Sequence, residues 1–586
     1  MLRTIGGYWA CGINFLRTAV LGCAFFGIST AAALAQQPGL KSAQGSEASP
    51  ATTESAERGP RLYAGFSGYA RKVTTRSPLA QQWFDQGIQL LYGYNHDEAI
   101  RSFEMAGKID PSCAMAWWGS AYARGLHINN PEMGEEQSRL AFLAAEKAVA
   151  ALDDETPVEQ ALVKAVRKRY AWPAPQDRSP LDRAYADAME AVWHQFPDDA
   201  DVSALFAEAL MNLQPWDLWT AAGEPKGRAL EIVSVLEKTL AKHPNHPGAN
   251  HFYIHAVEAS PWPHRAVPAA ERLLNLVPGS GHLVHMPSHI FIRVGRYADA
   301  ADANARAIAA DEAYFAVAPP PDFYSLYFVH NIHFLAYAAM MEGRYETAIA
   351  AARKIEKQIP PDFLKNYVTL ADGFMPTSLH VMIRFGKWKA ILAEPEPGAD
   401  RLMSRAMRHY ARSIAYSALG NTAAARREIE AMDAVASQLT DKWMVGNNKA
   451  QDVLAISRKM AAGELAYREG DSEQAFRLLR EAVEMEENLA YDEPPGWMQP
   501  VRHALGALLL ADGRAAEAEA VYRADLQRHP HNPWSLLGLH QALEKLSKWQ
   551  EADTVEKQVR KAWARADVMP AASCYCHPDA RTTGEQ

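Results

Sequence analysis

A set of landmark residues recurs along this chain at fixed offsets, and it constrains the fold more than any other feature. The first set is Trp83, Gly87, Ala99, Phe103 and Pro111, which stand at positions 4, 8, 20, 24 and 32 of a repeat that starts at residue 80. Small residues at positions 8 and 20 let two helices approach closely. An aromatic residue fills the gap between them, and proline ends the second helix. The pattern predicts stacked pairs of α-helices.

Further repeats follow in the same frame, and proline-bearing insertions separate some of them. They start at or near residues 247, 281, 329, 372, 406, 456, 499 and 533. The stretch from about 130 to 245 has degenerate landmarks but keeps a helical pattern. Two insertions, 214–219 and 319–324, contain prolines and therefore predict loops, which on a rigid scaffold often border a binding surface.

These landmarks resemble those of the tetratricopeptide repeat (TPR). The resemblance implies an all-α, right-handed superhelical solenoid of helix–turn–helix units over residues 61–570, with the histidine-rich repeats at 247–395. The segments around His251–Glu258 and Gly281–Tyr297 are also similar to a group of uncharacterised, secreted bacterial TPR proteins. That second similarity implies the fold and no particular activity.

The first 35 residues have the pattern of a secretory signal. Arg3 and Arg17 supply positive charge, an apolar stretch covers about residues 18–34, and Ala33-Leu34-Ala35 fits a cleavage site after Ala35. We therefore expect a periplasmic or secreted protein, with a lipid anchor at Cys23 or a retained membrane anchor as alternatives. Residues 36–60 have the composition of a flexible linker, and residues 571–586 form a C-terminal tail. No later segment has the roughly 20 apolar residues that span a bilayer.

Charge and cysteine content exclude some functions. The formal net charge of -9 argues against nucleic-acid partners, which require a basic face. Signal cleavage would leave Cys113, Cys574 and Cys576, too few for a framework of several disulfides. Cys574-Tyr575-Cys576-His577 can bind a soft metal ion or form a disulfide within the tail.

Histidines are concentrated in the central repeats, and the repeat frame aligns them. His251 and His255 take positions 5 and 9, and His285 and His289 take the same positions 34 residues later. Residues four apart share one face of a helix. Positions 2, 5, 9, 12 and 13 line the concave groove of TPR proteins, so the resemblance implies that these imidazoles face one groove.

The next repeats continue the pattern with His330 at position 2, His333 at position 5 and, one repeat further, His380 at position 9. Neighbouring helices pack about 8–10 Å apart, so inward imidazoles from two helices can share a metal ion. We predict a transition-metal site, copper or zinc, whose ligands come from His251, His255, His285, His289, His330 and His333. The alternative is a hydrogen-bonded polar groove without metal.

Two classes of function remain open at this stage. The first is a metal-binding protein, in which Glu258 acts as base or ligand and Tyr324 as proton donor in a reaction on a small or anionic substrate. Arg293 and Arg384, both at position 13, and His380 would bind that substrate. The second class is an interaction scaffold that holds a peptide or protein in its groove without catalysis. Whether the protein is an enzyme is left undecided.

Overall fold

The computed structural model of the protein describes residues 60–318 and 323–578. The predicted signal peptide, nearly all of the predicted linker, the first four residues of the 319–324 insertion and the last eight residues of the tail lie outside them. α-Helices dominate the described chain, and none of its helices is long and apolar enough to cross a membrane.

The first eight helices cover the N-terminal third of the array. They are α1 (Pro78–Tyr92), α2 (His96–Ile109), α3 (Ala114–Ala123), α4 (Glu135–Ala150), α5 (Pro157–Arg167), α6 (Ser179–Gln195), α7 (Ala200–Met211) and α8 (Ala229–Lys242). The 130–245 region is helical, as its sequence pattern predicts. The predicted loop at 214–219 lies between α7 and α8.

The central repeats follow, with a short 3₁₀ helix at Pro263–Ala266. Their helices are α9 (Pro247–Val257), α10 (Val267–Leu276), α11 (Gly281–His285), α12 (Pro287–Arg293), α13 (Tyr297–Phe315), α14 (Ser325–Met341), α15 (Tyr345–Gln358), α16 (Pro361–Asn366), α17 (Val368–Ala371), α18 (Thr377–Arg384) and α19 (Trp388–Ala393).

Four regular helix pairs complete the array. They are α20 (Leu402–Ala418) with α21 (Thr422–Ala436), α22 (Ala450–Arg468) with α23 (Ser472–Glu487), α24 (Val501–Ala511) with α25 (Ala515–Arg528), and α26 (Pro533–Lys545) with α27 (Trp549–Ala562). One small antiparallel hairpin, β1 (Met444–Val445) and β2 (Asn448–Lys449), precedes α22. Each predicted repeat coincides with a helix pair, so the all-α solenoid prediction is confirmed.

The repeat landmarks pack as their residue types predict. A Cβ at Gly119 would lie 2.4 Å from the Phe103 ring, and one at Gly87 would lie 2.7 Å from it. Tyr522, in the equivalent position of a C-terminal repeat, fills the space above Gly506 and Gly538 in the same way. The aromatic side chain at position 24 therefore requires glycine on the helices that flank it.

The two ends of the array pack against its middle. Trp534 Nε1 donates a hydrogen bond to the Met340 carbonyl at 3.0 Å, and Arg565 forms an ion pair with Asp302 at 2.7 Å. At the other end, the carbonyl of Tyr92 in α1 contacts His251 in α9. The chain's own segments therefore cover much of the inner face of the central repeats, which the resemblance presents as an open groove.

One buried carboxylate, Asp201 on α7, joins the N-terminal segment to the central repeats. It accepts hydrogen bonds from Tyr69 at 2.8 Å and Tyr92 at 2.5 Å and contacts His246 Nε2 at 3.0 Å. Arg71 pairs with it at 2.6 Å. Burial raises the pKa of Asp201, but the Arg71 guanidinium, His246 and the Tyr92 hydroxyl together outweigh burial and hold the pKa well below its usual range.

We expect Asp201→Asn to lower the free energy of unfolding by about 1.5–3 kcal/mol, because the charge-assisted hydrogen bonds to Asp201 are lost and the buried Arg71 keeps only the partly exposed Asp199 as an anionic partner. Denaturant titration followed by circular dichroism measures this loss. The matched control is Asp198→Asn, whose ion pair with Lys242 is exposed and screened by solvent, so the denaturation midpoint should stay nearly unchanged. Equal effects of the two substitutions would contradict the role assigned to Asp201.

Candidate metal centre

Six histidines from four helices form one buried cluster in the central repeats. Each ring centroid lies within 4.9 Å of another ring of the cluster. The six are His251 and His255 on α9, His282 and His285 on α11, His289 on α12, and His330 on α14. Five of these six are ligands predicted from the sequence, and the sixth predicted ligand is His333 instead of His282.

The first half of the cluster consists of His251, His255 and His282, whose ligand nitrogens all lie within 4.8 Å of one another. His251 Nδ1 is 2.7 Å from the Tyr92 carbonyl oxygen, which can only accept, so this nitrogen carries the proton and Nε2 carries a lone pair. His251 Nε2 lies 3.2 Å from His282 Nε2. His255 Nε2 is buried without a hydrogen-bond partner.

The second half consists of His285, His289 and His330, which meet the same 4.8 Å criterion. His285 Nδ1 donates to Asn304 Oδ1 at 2.7 Å, because the Asn304 amide group is itself engaged with the Ala300 carbonyl. The His285 lone pair is therefore on Nε2, 2.8 Å from His289 Nε2. The two halves adjoin, with His282 and His285 stacked at 5.9 Å.

Two buried glutamates orient the rings of the cluster. Glu258, at the end of α9, contacts His255 Nδ1 through one oxygen and His289 Nδ1 through the other, both at 2.7 Å. Glu493, from the segment between α23 and α24, lies 3.1 Å from His289 Nδ1. His255 Nδ1 is hydrogen-bonded to Glu258, whereas His289 Nδ1 lies within ion-pair distance of both carboxylates without an aligned hydrogen bond. Both rings turn Nε2 toward the other histidines, as in carboxylate–histidine–metal arrangements.

The electrostatics of the cluster differ sharply between His289 and four of its neighbours. Burial first, and then the neighbouring imidazoles, lower the pKa values of His251, His282, His285 and His330 well below the usual range. These rings are neutral, which is the form that binds metal. Burial also lowers the pKa of His289, but Glu258 and Glu493 reverse this effect and raise it to about 10.

The local backbone of α11 and α12 follows from two residues. Pro287 cannot donate a backbone hydrogen bond, so the helix is interrupted there and the imidazoles of His285 and His289 sit in two short segments. Gly281 begins α11 where a Cβ would lie 2.0 Å from Asp311 Oδ1. Asp311 accepts a hydrogen bond from Tyr324 at 2.9 Å, and the Tyr324 hydroxyl accepts one from the His282 amide at 3.2 Å.

A cleft opens onto the cluster, with about 1300 Å³ of empty space when its open mouth is included. Imidazoles from both halves line its base. Its walls are mainly apolar and aromatic: Trp216, Phe323, Leu326, Tyr327, Ile359, Phe363, Tyr367, Leu370, Phe374 and Met444. Asn129, Asn447, Asp492 and Glu493 are its other polar contributors, and no lysine or arginine lines the described part of the cleft.

Three residues of the predicted site lie apart from the cluster. His333 points its ring edge at Phe374, and burial followed by His380 lowers its pKa to about 3. His380 packs against Trp497 and Gln499. Arg384 is buried, with its guanidinium 3.7 Å from the Trp534 ring centroid and donating to His503 Nδ1 at 2.8 Å. The C-terminal repeats therefore cover His380 and Arg384.

Arg293 and Tyr324 border the cluster without facing the cleft. Arg293 donates to the backbone carbonyls of Glu258 and Ser260 and lies over the Tyr491 ring. The Tyr324 hydroxyl is engaged by Asp311 and the His282 amide. Both side chains brace the segments that carry Glu258 and His282, and their predicted roles in substrate binding and proton donation stay predictions.

Four residues contribute to the site without being predicted from the sequence. His282 stands at position 2 of its repeat, as His330 does, so the repeat frame contained a signal for it. Tyr94, in the turn between α1 and α2, stacks on His282 at 5.5 Å. Trp216, from the 214–219 insertion, contacts His255 edge-on at 5.4 Å. No sequence signal pointed to Glu493.

Comparison with known proteins assigns neither a family nor a function to the chain. No protein-family model and no curated protein matches the chain. Among solved structures, the human IFIT1 dimer with m7Gppp-AAAA is 12% identical, covers 81% of this chain and 95% of its own, and has a TM-score of 0.33. The APC/C hetero-tetramer Cut9-Hcn1 is 10% identical, with coverages of 85% and 79% and a TM-score of 0.29.

The apolar cleft should bind an uncharged aromatic dye such as N-phenyl-1-naphthylamine, with energy transfer from Trp216. We expect Phe363→Ser to weaken binding by about tenfold, because it removes a large apolar contact from the wall. Dye titration monitored by fluorescence measures the dissociation constant. Trp549→Ser, which alters an exposed aromatic residue outside the cleft, is the control. An unchanged dissociation constant in Phe363→Ser would show that the dye binds elsewhere.

Proposed function

We propose that the protein is a metalloprotein whose six clustered imidazoles hold two transition-metal ions, copper or zinc, at the base of the apolar cleft. The observation that carries the proposal is the direction of the Nε2 atoms. The hydrogen bonds at Nδ1 of His251, His255 and His285 leave Nε2 as the lone-pair nitrogen, and each of these atoms faces other imidazoles.

The spacing of these nitrogens fits shared metal ions. Two nitrogens on one tetrahedral ion, with bonds of about 2.0–2.1 Å, lie about 3.3 Å apart. The Nε2 atoms of His251 and His282 are 3.2 Å apart, close to this separation. Those of His285 and His289 are 2.8 Å apart, a hydrogen-bond length, so an ion in the second half would replace the His289 proton and widen this pair. One proton can bridge either pair, but such a proton leaves His255 Nε2 buried and unpartnered. A metal ion would satisfy all three nitrogens of the first half.

Charge and ligand type support transition metals over other ions. Imidazole suits zinc, copper, iron and nickel, and it is a poor ligand for calcium or magnesium. Two divalent ions bring four positive charges into a buried site, where uncompensated charge is costly. Glu258, Glu493 and Asp492 lie beside the cluster and supply the compensating negative charge.

The proposed reaction is metal-dependent and acts on a small, largely apolar molecule. Three protein ligands per ion is the number found in catalytic zinc sites, where a further position takes water or substrate. A bound ion at such a position polarises a substrate oxygen or activates water. The aromatic walls favour an apolar substrate, and the absence of arginine or lysine from the described lining disfavours an anionic one.

The alternative of a peptide-binding scaffold has less support. The inner-face residues His380 and Arg384 are buried against the chain's own C-terminal repeats. A peptide would have to displace those repeats to reach them. The covered inner face and the predicted signal sequence together lead us to favour an exported metalloprotein over a scaffold that binds partner proteins.

Metal analysis of the full-length protein tests the proposal. We expect about two equivalents of copper or zinc per chain, because each histidine triad supplies the three ligands of one ion. His282→Ala and His330→Ala should each remove about one equivalent and lower the unfolding temperature only of the metal-loaded protein. Inductively coupled plasma mass spectrometry and thermal unfolding, with and without chelator, give both quantities.

The matched controls are His264→Ala, an exposed histidine of the same region, and His333→Ala, which lies outside both triads. Both variants should keep the full metal content. The proposal is wrong if the protein binds no metal and gains no thermal stability from added copper or zinc. A single equivalent that only one of the two triad variants removes would reduce the centre to one ion.

A further inference from the structure

A second group of reactive side chains lies in the C-terminal repeats. It is distant in sequence from the histidine cluster and contains different chemical groups. The described part of the tail, residues 571–578, folds back onto these repeats. Ser573 Oγ donates to the His503 carbonyl at 2.9 Å and bonds the Tyr522 hydroxyl at 2.6 Å. The Cys576 carbonyl accepts a hydrogen bond from Arg468. The tail therefore holds its cysteines in a fixed place.

Cys574 and Cys576 form a disulfide at this place. Cys576 is buried, whereas Cys574 is partly exposed. Both line a small cavity together with Tyr410, Met460 and Ala504. An incoming thiol can therefore reach the sulfur of Cys574 more easily than that of Cys576.

A buried carboxyl group accompanies the disulfide. Glu464, on α22, is 3% exposed, and one of its oxygens lies within 4.8 Å of both cysteine sulfurs. Its Oε2 atom has no hydrogen-bond partner. Leaving a buried polar atom unpaired costs free energy, and a purely structural disulfide gains nothing from such a neighbour. Burial also raises the pKa of Glu464 to about 7, so the group can carry or release a proton near neutral pH.

We propose that Cys574–Cys576 is a thiol–disulfide exchange site that oxidises an external dithiol, with Glu464 as the proton donor to Cys576. This site is independent of the metal centre. Cys574 is the attacked sulfur because it is the more accessible, and Cys576 is the leaving group because it is the buried sulfur, with the Glu464 carboxyl within 4.8 Å.

The exchange balances in two steps. A thiolate of the external dithiol attacks Cys574 Sγ, and the Cys574–Cys576 bond breaks as its electron pair moves to Cys576 Sγ, which takes the proton of Glu464. The second thiolate of the dithiol then attacks the dithiol's first sulfur, which is bonded to Cys574 Sγ in the mixed disulfide. This attack expels Cys574 Sγ, which takes a proton from water. The dithiol is oxidised by two electrons, and the cysteine pair is reduced by two.

Several ionisable groups lie around Glu464 and contribute to its proton affinity. Arg468, one turn along α22, lowers its pKa by charge, and the Tyr410 hydroxyl is a buried neighbour. Arg384 and His503 line the same small cavity and bond each other across it. The pH dependence of the exchange rate therefore depends on all of these groups. Substitution of Glu464 shows how much of that dependence comes from Glu464 itself.

The rate of disulfide reduction in the folded, full-length protein tests the proposal. Samples are treated with dithiothreitol in the presence of chelator, quenched with iodoacetamide, and the tail peptide is quantified by mass spectrometry. We expect Glu464→Gln to slow reduction by at least about tenfold and to flatten its dependence on pH, since the proton donor is lost. Glu464→Asp should recover part of the rate, and iodoacetamide should modify Cys574 before Cys576.

The control is Glu469→Gln, which alters the more exposed glutamate that directly follows Arg468 and should leave the rate unchanged. Equal rates in the wild type and Glu464→Gln would overturn the proposal, as would a disulfide that dithiothreitol reduces only after unfolding. Tight binding of zinc by the reduced protein, lost in Glu464→Gln while exchange rates stay equal, would show a soft-metal site instead and overturn the exchange assignment.

Discussion

The buried carboxylate of Glu258 sets the geometry on which the histidine cluster depends. Its two oxygens contact Nδ1 of His255 on α9 and Nδ1 of His289 on α12, which places both helices at a distance fixed by one side chain. Burying an unpaired carboxylate costs several kcal/mol of folding free energy, so loss of these contacts would destabilise the folded protein. With both Nδ1 atoms engaged, the rings turn Nε2 toward the other imidazoles, and the cluster follows from this orientation.

Much of this arrangement was predictable because its causes are local or periodic. The helix pairs follow from small and aromatic residues at fixed offsets, and the 34-residue spacing brings His251 and His255 beside His285 and His289. His282 could have been included on its repeat position alone. His333 was misleading: it is one turn from His330 on α14, but its ring packs on Phe374 of the following segment.

The contribution of Glu493 could not be predicted, because it depends on the path of the whole superhelix. More than two hundred residues separate it from Glu258, and no periodicity relates the two. The expectation of an accessible groove was wrong for the same reason. Family-based reasoning treats the inner face as free, whereas here Trp534 and the tail residue Tyr575 pack near Arg384 and Gly386 and fill that face. Long-range packing of this kind leaves no mark on a local pattern.

The return of the chain onto its own middle has a consequence for biogenesis. An N-terminal fragment that ends before α24 would contain all six imidazoles, yet it would lack the last two helix pairs that pack over the central repeats. A fragment that ends before residue 490 would also lack Glu493, one of the two carboxylates on His289. Both carboxylates are therefore present at His289 only after synthesis has passed residue 493, and the covering helix pairs follow later still, so truncated molecules would differ from finished ones in the surroundings of the histidine cluster.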